Sequence, residues 1–274
     1  MKIKEYWPSL RRAWQLQRVA PARLQAQAAG AESLPVLVSL TSIPERLPRL
    51  HLTVRSLLAQ ERPPEGIVLW LNEDDRMQVP DKLQCLQGAH FQIRFGRLHC
   101  PHRKLIFALE AFPDRTIVTC DDDVMYARDW LDRLYVSHQA FPGEIVAHEC
   151  RRIRRASDGV LLPYRDWTTV EETGVSEPQM MSVGYGGVLY PPGSLHPDVL
   201  DVERFMQLAP YADDLWFKAM AYRQGTAIRR SVKPRPKPVP IVGTQSVSLR
   251  RHNVRADGNR QQWQALAGHF GIDI

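Results

Sequence analysis

Nowhere does the chain string together enough apolar residues to cross a bilayer. Runs such as Pro35-Val36-Leu37-Val38 and Ile67-Val68-Leu69-Trp70-Leu71 fall far short of the roughly 20 residues a spanning helix needs, and no positively flanked apolar leader opens the sequence. Cysteine is scarce: Cys85, Cys100, Cys120 and Cys150 show no CxxC spacing and would make a poor disulfide framework, so reduced thiols are expected. Together these absences make a cytoplasmic location the expectation. Neither GxxxxGK[ST] nor a GxGxxG after a first strand is present, which disfavours an ATPase or a nicotinamide enzyme. Any phosphate must be held by something other than a glycine loop. No helix-turn-helix, RNP or zinc-finger pattern occurs, so nucleic acid is not an expected partner. What is present is ordinary globular composition: 274 residues, 44% hydrophobic and 24% charged, enough for one sizeable α/β domain or two small ones.

The net charge of +6 is uneven. Between Met1 and Gly30, Lys2, Lys4, Arg11, Arg12, Arg18 and Arg23 face only Glu5, while Trp7, Leu10, Trp14, Leu16, Val19 and Leu24 add apolar bulk. This predicts a basic amphipathic helix over residues 1–32. Such a helix suits peripheral contact with an anionic membrane surface, at the inner face of the membrane for a cytoplasmic protein. Packing on the domain or on a second subunit is the alternative.

From Ser33 the pattern alternates. Strands are predicted at Val36–Leu40, Ile67–Leu71, Phe91–Phe95, Arg115–Thr119 and Glu144–His148, with helices at Arg49–Gln60, Lys104–Phe112 and Asp129–Gln139. Strands spaced by helices imply right-handed crossovers and a mostly parallel sheet. The expected fold class is therefore α/β, a Rossmann-like sheet flanked by helices, over residues 33–254. A helical tail over 255–274 carries Trp263, Leu266 and Phe270. In open sheets of this class ligands bind beyond the carboxyl ends of the strands. The first strand delivers Ser39, Thr41 and Ser42 there, the second Glu73, Asp74 and Asp75, and the fourth Asp121, Asp122 and Asp123.

Three consecutive carboxylates behind an apolar strand need a cation. Like charges ~4 Å apart repel by ~1 kcal/mol in water and ~4 kcal/mol at the effective dielectric of a protein surface. Carboxylate oxygens are hard ligands suited to Mg²⁺ or Mn²⁺, and alternation along an extended segment would put Asp121 and Asp123 on one side with Asp122 opposed. A solvated acidic turn before the helix at Asp129 is the plainer reading. Elsewhere Gly184-Tyr185-Gly186-Gly187 precedes an apolar stretch, where close approach of a ligand or a tight turn would explain the glycines. Asp213 and Asp214 head an apolar helix, which the helix dipole favours whatever the function.

The ordered set Ser39-Leu40-Thr41-Ser42-Ile43-Pro44, the acidic end of the second strand, Arg103-Lys104, Asp121-Asp122-Asp123, Gly184 to Gly187 and Ala212-Asp213-Asp214 resembles bacterial nucleotide-sugar-dependent glycosyltransferases of the GT-A fold, over roughly Leu34 to His252. The resemblance implies a hexosyltransferase-type enzyme moving a sugar from a nucleotide diphosphate, with a UDP-sugar favoured, to a hydroxyl of a cell-surface glycan or glycolipid precursor. It maps the DxD motif onto Asp121 and Asp123, with Asp123 a metal ligand and Asp121 meeting the ribose or the metal through water, and His252 as a late metal ligand. Asp214 corresponds to the general base of inverting members, with Asp213 oriented towards hydroxyls, although Glu-Asp is the commoner pair and some retaining members also carry an acidic pair in this region, which leaves the stereochemistry open. Ser39, Thr41, Asp74, Arg103, Lys104, Asp122, Gly186 and Gly187 complete the expected donor site; Asp74 or Asp75 would accept from a uracil imide. A metal-dependent nucleotidyltransferase or phosphohydrolase, or a non-catalytic glycan-binding module, would share the acidic strand ends.

Overall fold

A computed structural model of the chain describes residues 3–233, 237–244, 253 and 256–274. The basic N-terminal segment forms two helices, Ile3–Gln17 (α1) and Pro21–Gly30 (α2), rather than the single helix expected. Pro21 is the reason. Its ring disfavours helical backbone in the residue before it, and Ala20 is extended at φ −60° and ψ 145°.

The alternating region follows in the order read from the sequence. Leu34–Thr41 (β1) leads to Leu47–Leu58 (α3), Pro64–Asn72 (β2), the short helix Asp81–Gln84 (α4) and Phe91–Gly96 (β3). Arg103–Ala111 (α5), Thr116–Thr119 (β4), Val124–Met125 (β5), Trp130–Ala140 (α6) and Ile145–Ala147 (β6) come next. Cys150–Arg152 (β7), Thr168–Thr169 (β8) and Met180–Ser182 (β9) make a small antiparallel sheet that the hydrophobic pattern did not announce. Then come Val188–Tyr190 (β10), Val202–Leu208 (α7), Asp213–Gln224 (α8), Ile228–Arg230 (β11), Val239–Pro240 (β12) and Gly258–Phe270 (α9).

Seven strands form the main sheet in the order β11-β6-β10-β4-β1-β2-β3. All neighbours pair in parallel except β10, which lies antiparallel between β4 and β6. The fold is thus mixed α/β with a mostly parallel sheet, as expected. Its central strands are buried on both faces, so successive residues fall in opposite cores. Ile117, Val188 and Tyr190 pack with α5, α8 and α9, while Val118 and Leu189 pack with α2, α3 and α6. That double burial is why the strands read as continuous apolar runs.

The winding reverses between β1 and β4. From β1 the chain proceeds outward through β2 to β3, then returns to place β4 on the other side of β1. A reversal of this kind leaves a crevice outside the carboxyl ends of the two strands. The site lies there.

Candidate active site

A cleft of about 840 Å³ opens at this point, lined in part by Thr41, Arg46, Lys104, the Asp121–Asp123 segment, Asp213 and Asp214. It brings together residues from the first strand, the fourth strand and the start of α8, which are distant in sequence. The aspartate segment is clamped along its backbone. The Asp121 N–H donates to the Tyr126 hydroxyl at 2.9 Å, Thr53 Oγ1 donates to the Asp122 carbonyl at 3.0 Å, and the Ile241 N–H donates to the Asp123 carbonyl at 2.9 Å. Fixed backbone means fixed carboxylates.

The side chains do not alternate as predicted for an extended segment. β4 ends at Thr119, and Asp122 and Asp123 form a bend, so these two share one cation while Asp121 meets another. Arg46 ion-pairs with Asp122 through Nη1 and with Asp123 through Nη2, the latter at 3.3 Å. Ser42 Oγ also donates to Asp122 Oδ2 at 2.5 Å. Burial pushes the Asp122 carboxyl up, against the pull of Arg46. Asp122 thus lines the cleft with its carboxylate held by Arg46 and Ser42.

Lys104 is the second cation. Its ammonium lies 2.9 Å from Asp213 Oδ2 and 3.2 Å from Asp121 Oδ1, with the side chain only 8% exposed. Burial alone would lower its pKa, but Asp213, Asp121 and Asp214 outweigh that and hold it well above the ordinary lysine value. Asp213 and Asp214 are adjacent in sequence yet pushed apart in acidity. Burial works against ionisation of Asp213, but Lys104 overcomes it and lowers that carboxyl. For Asp214, burial and the neighbouring Asp213 charge together raise the carboxyl to about 7. The Gly184 N–H, at 3.2 and 3.1 Å from the two Asp214 oxygens, orients it. Two carboxylates driven in opposite directions in one cleft are the pattern of an assigned acid and base.

Other predicted donor residues lie outside the cleft or line it with their polar groups already engaged. Ser39 is buried behind the cleft, its hydroxyl donating to the Lys104 carbonyl and accepting from Trp70 Nε1 at 3.0 Å. Arg103 lines the cleft, but its guanidinium donates to the Thr41 hydroxyl and to the carbonyls of Ser42 and Leu98, which spends it on bracing the loop after β1. Asp74 is 88% exposed and does not line the cleft; Asp75 is buried outside it. His252 lies outside the described residues.

The glycines divide into two roles. A Cβ on Gly184 would come within 2.9 Å of Lys104 Nζ and 3.0 Å of Asp214 Oδ1, so this glycine lets the backbone reach the charged cluster. Gly186 and Gly187 instead face Trp130, not the cleft. The indole N–H donates to the Gly186 carbonyl at 2.7 Å, and a Cβ on Gly187, at φ +100°, would lie 2.5 Å from the indole. Gly187→Ala should therefore cost about 2–3 kcal/mol in a denaturant titration, from backbone strain plus overpacking. An unchanged midpoint would remove Trp130 as the reason for that glycine.

Residues the sequence reading passed over include Arg46, Thr53, Tyr126 and His102. Arg46 ends a 3-10 turn begun by Pro44 directly after β1, a position where a basic residue faces the neighbouring strand end. His102 is fully buried with its ring stacked on Phe205 at 4.2 Å, and burial pushes it down to about 4, so it stands neutral beside the cluster at pH 7. Nothing local distinguishes Thr53, whose partners lie about seventy residues away, and the contact of Tyr126 with the Asp121 N–H five residues back carries no sequence pattern.

Charge in the cleft does not balance. Glu45, Asp121, Asp122, Asp123, Asp213 and Asp214 oppose Arg46, Arg103 and Lys104, six carboxyls against three cations. Among the described residues no three of Asp, Glu, His and Cys close into a complete metal cage. The surplus of hard carboxylate oxygen nonetheless fits Mg²⁺ or Mn²⁺, which are commonly held by one or two carboxylates and completed by substrate phosphates and water.

No protein-family model and no curated protein sequence matches the chain. Solved structures to which it is similar include TarS residues 1–349 from S. aureus, at a TM-score of 0.47 and 14% identity, covering 75% of this chain and 59% of that one. The TarS complex with UDP-GlcNAc gives 0.47 and 13%, covering 75% of this chain and 57% of that one. A 4-diphosphocytidyl-2C-methyl-D-erythritol synthase from Anaerococcus prevotii DSM 20548 gives 0.46 and 12%, covering 86% and 99%. The chain spans 59% of the length of the first TarS structure. The functional reading rests on the site's own chemistry.

Proposed function

We propose that the protein is a metal-dependent glycosyltransferase of the GT-A type, moving a sugar from a nucleotide diphosphate donor to a hydroxyl of a cell-surface glycan or glycolipid precursor. UDP-sugars are the first donors to test, on the strength of the sequence resemblance. The observation that carries the reading is the split pair: Asp214 raised to about 7 and Asp213 lowered, both lining the cleft that Asp121, Asp122 and Asp123 also line.

Transfer requires an acceptor oxygen to lose its proton as it attacks the anomeric carbon, while the bond from that carbon to the diphosphate breaks and its electrons go to the leaving oxygen. Asp214 takes the proton, because a base near pH 7 is ionised often enough to act and basic enough to accept. Asp213 and Lys104 hold each other in place beneath it. Asp121 and Asp123, with His252 as a further candidate, would hold a Mg²⁺ or Mn²⁺ ion, which when bound neutralises charge on the departing diphosphate. Arg46 keeps Asp123 aimed at the cleft.

Calorimetric titration of UDP in the presence of Mn²⁺ tests the donor half. Asp123→Ala should abolish the metal-dependent part of binding; retention of it would take Asp123 out of the ion's coordination. A nucleotidyltransferase with the same acidic strand ends would release pyrophosphate, whereas glycosyl transfer releases a nucleoside diphosphate.

A further inference from the structure

The N-terminal helix buries one narrow face and leaves another bare. Ser9 and Leu16 are buried, and Leu16 packs with Leu52 of α3, Met125 of β5 and Ile241. Arg55 ties down the end of the helix by donating to the carbonyls of Leu16 and Val19, at 3.0 and 2.6 Å. Tyr6, Leu10 and Trp14 recur every fourth residue with Trp7 beside them, so they form one stripe on a helix of 3.6 residues per turn. All four are exposed, Trp7 by 76% and Trp14 by 58%. Large aromatic side chains at this exposure are unusual for a helix already packed on its own domain.

Charge follows the same geometry. Lys4, Arg11 and Arg18 recur every seventh residue, which sets them in a second row flanking the aromatic stripe, and all three are exposed. Arg18 also stands over the Trp14 ring at 4.3 Å. An aromatic stripe edged by one row of long cationic side chains matches a headgroup layer, where indoles sit at the boundary and cations reach phosphates.

We propose that this face of α1 seats the protein on an anionic phospholipid surface. The helix is coupled to the cleft. Arg12 Nη2 donates to the Tyr126 carbonyl at 3.3 Å, and the Tyr126 hydroxyl accepts from the Asp121 N–H. Seating α1 therefore fixes the acidic strand end relative to the lipid plane. The proposal stands independently of the glycosyltransferase reading, since it needs no nucleotide.

The test is sedimentation of the full chain with vesicles of phosphatidylcholine alone or with about 30 mol% phosphatidylglycerol. Binding is expected to the anionic vesicles, to weaken about tenfold or more on neutral ones, and to weaken likewise in roughly 0.5 M salt. Trp7→Ser/Trp14→Ser and, separately, Lys4→Glu/Arg11→Glu/Arg18→Glu should each lower it about tenfold or more, with Tm unchanged because these side chains are exposed. Absence of binding to anionic vesicles would overturn the proposal, as would binding that survives both sets of substitutions. So would a dimer in solution that Trp7→Ser/Trp14→Ser converts to monomer, which would make this face a contact with a second copy of the chain.

Discussion

Lys104→Met should cost about 3–5 kcal/mol of folding stability at pH 7, because it removes the cation between two buried or half-buried carboxylates without removing the carboxylates. Methionine matches the lysine stem in volume, so the loss reports charge and not packing. Asp213 would be left buried with its partner gone, beside Asp214 and Asp121. The pH dependence follows from the direction of the Asp213 shift. A carboxyl lowered in the folded chain contributes stability that is present above its unfolded value near 4 and lost as pH falls through its folded value. The deficit of the variant should accordingly be largest at neutral pH and shrink as pH falls to about 4 and below, because burial makes the stranded carboxylates take up protons early and the wild type then loses its own gain. Denaturant titrations at the two pH values read it directly. Equal stability of variant and wild type at pH 7 would show that Lys104 is not what compensates the cluster.

Asp214→Asn should lower turnover by ~10²-fold or more with donor affinity nearly intact, as loss of a general base does. In the wild type, kcat should rise with pH through about 7, where Asp214 ionises, and the variant should lack that rise. Stability should move the other way. A carboxyl raised in the folded chain contributes stability that is fully present below its unfolded value near 4 and lost as pH rises to about 7. Asparagine cannot ionise, and its Oδ1 can still accept from the Gly184 N–H. The variant should thus melt above the wild type, by a margin that grows between about pH 4 and 7 and levels off beyond. An inactive protein gaining Tm in this way separates a functional carboxylate from a helix cap, whose loss would lower Tm.

The parallel core was legible in the sequence because strands covered on both faces appear as short unbroken apolar runs, and β1 to β4 lie within a few residues of where those runs lie. The break at Pro21 was not read from the sequence, where basic and apolar residues run on across it, although proline restricts the residue before it. Nor was strand direction. Val188–Tyr190 reads as a strand, but only pairing with Thr119 and Ala147 makes it antiparallel. At the site, Asp121, Lys104, Asp213 and Asp214 were singled out from charge, order and the family resemblance, and the four line one cleft. Asp74 and Ser39 do not line the cleft, for a common reason: a polar residue at a strand end can face the cleft, the solvent or the neighbouring strand, and periodicity does not choose among them. Arg46 escaped notice because its partners lie more than seventy residues away.

The account turns on an ion and a nucleotide diphosphate sharing the mouth of the sheet. Turnover of a panel of nucleotide sugars, followed by release of nucleoside diphosphate with Mn²⁺ or with chelator, tests that most directly. The account predicts one preferred donor and loss of release when the metal is removed. Equal rates for every donor, or release indifferent to chelator, would contradict it.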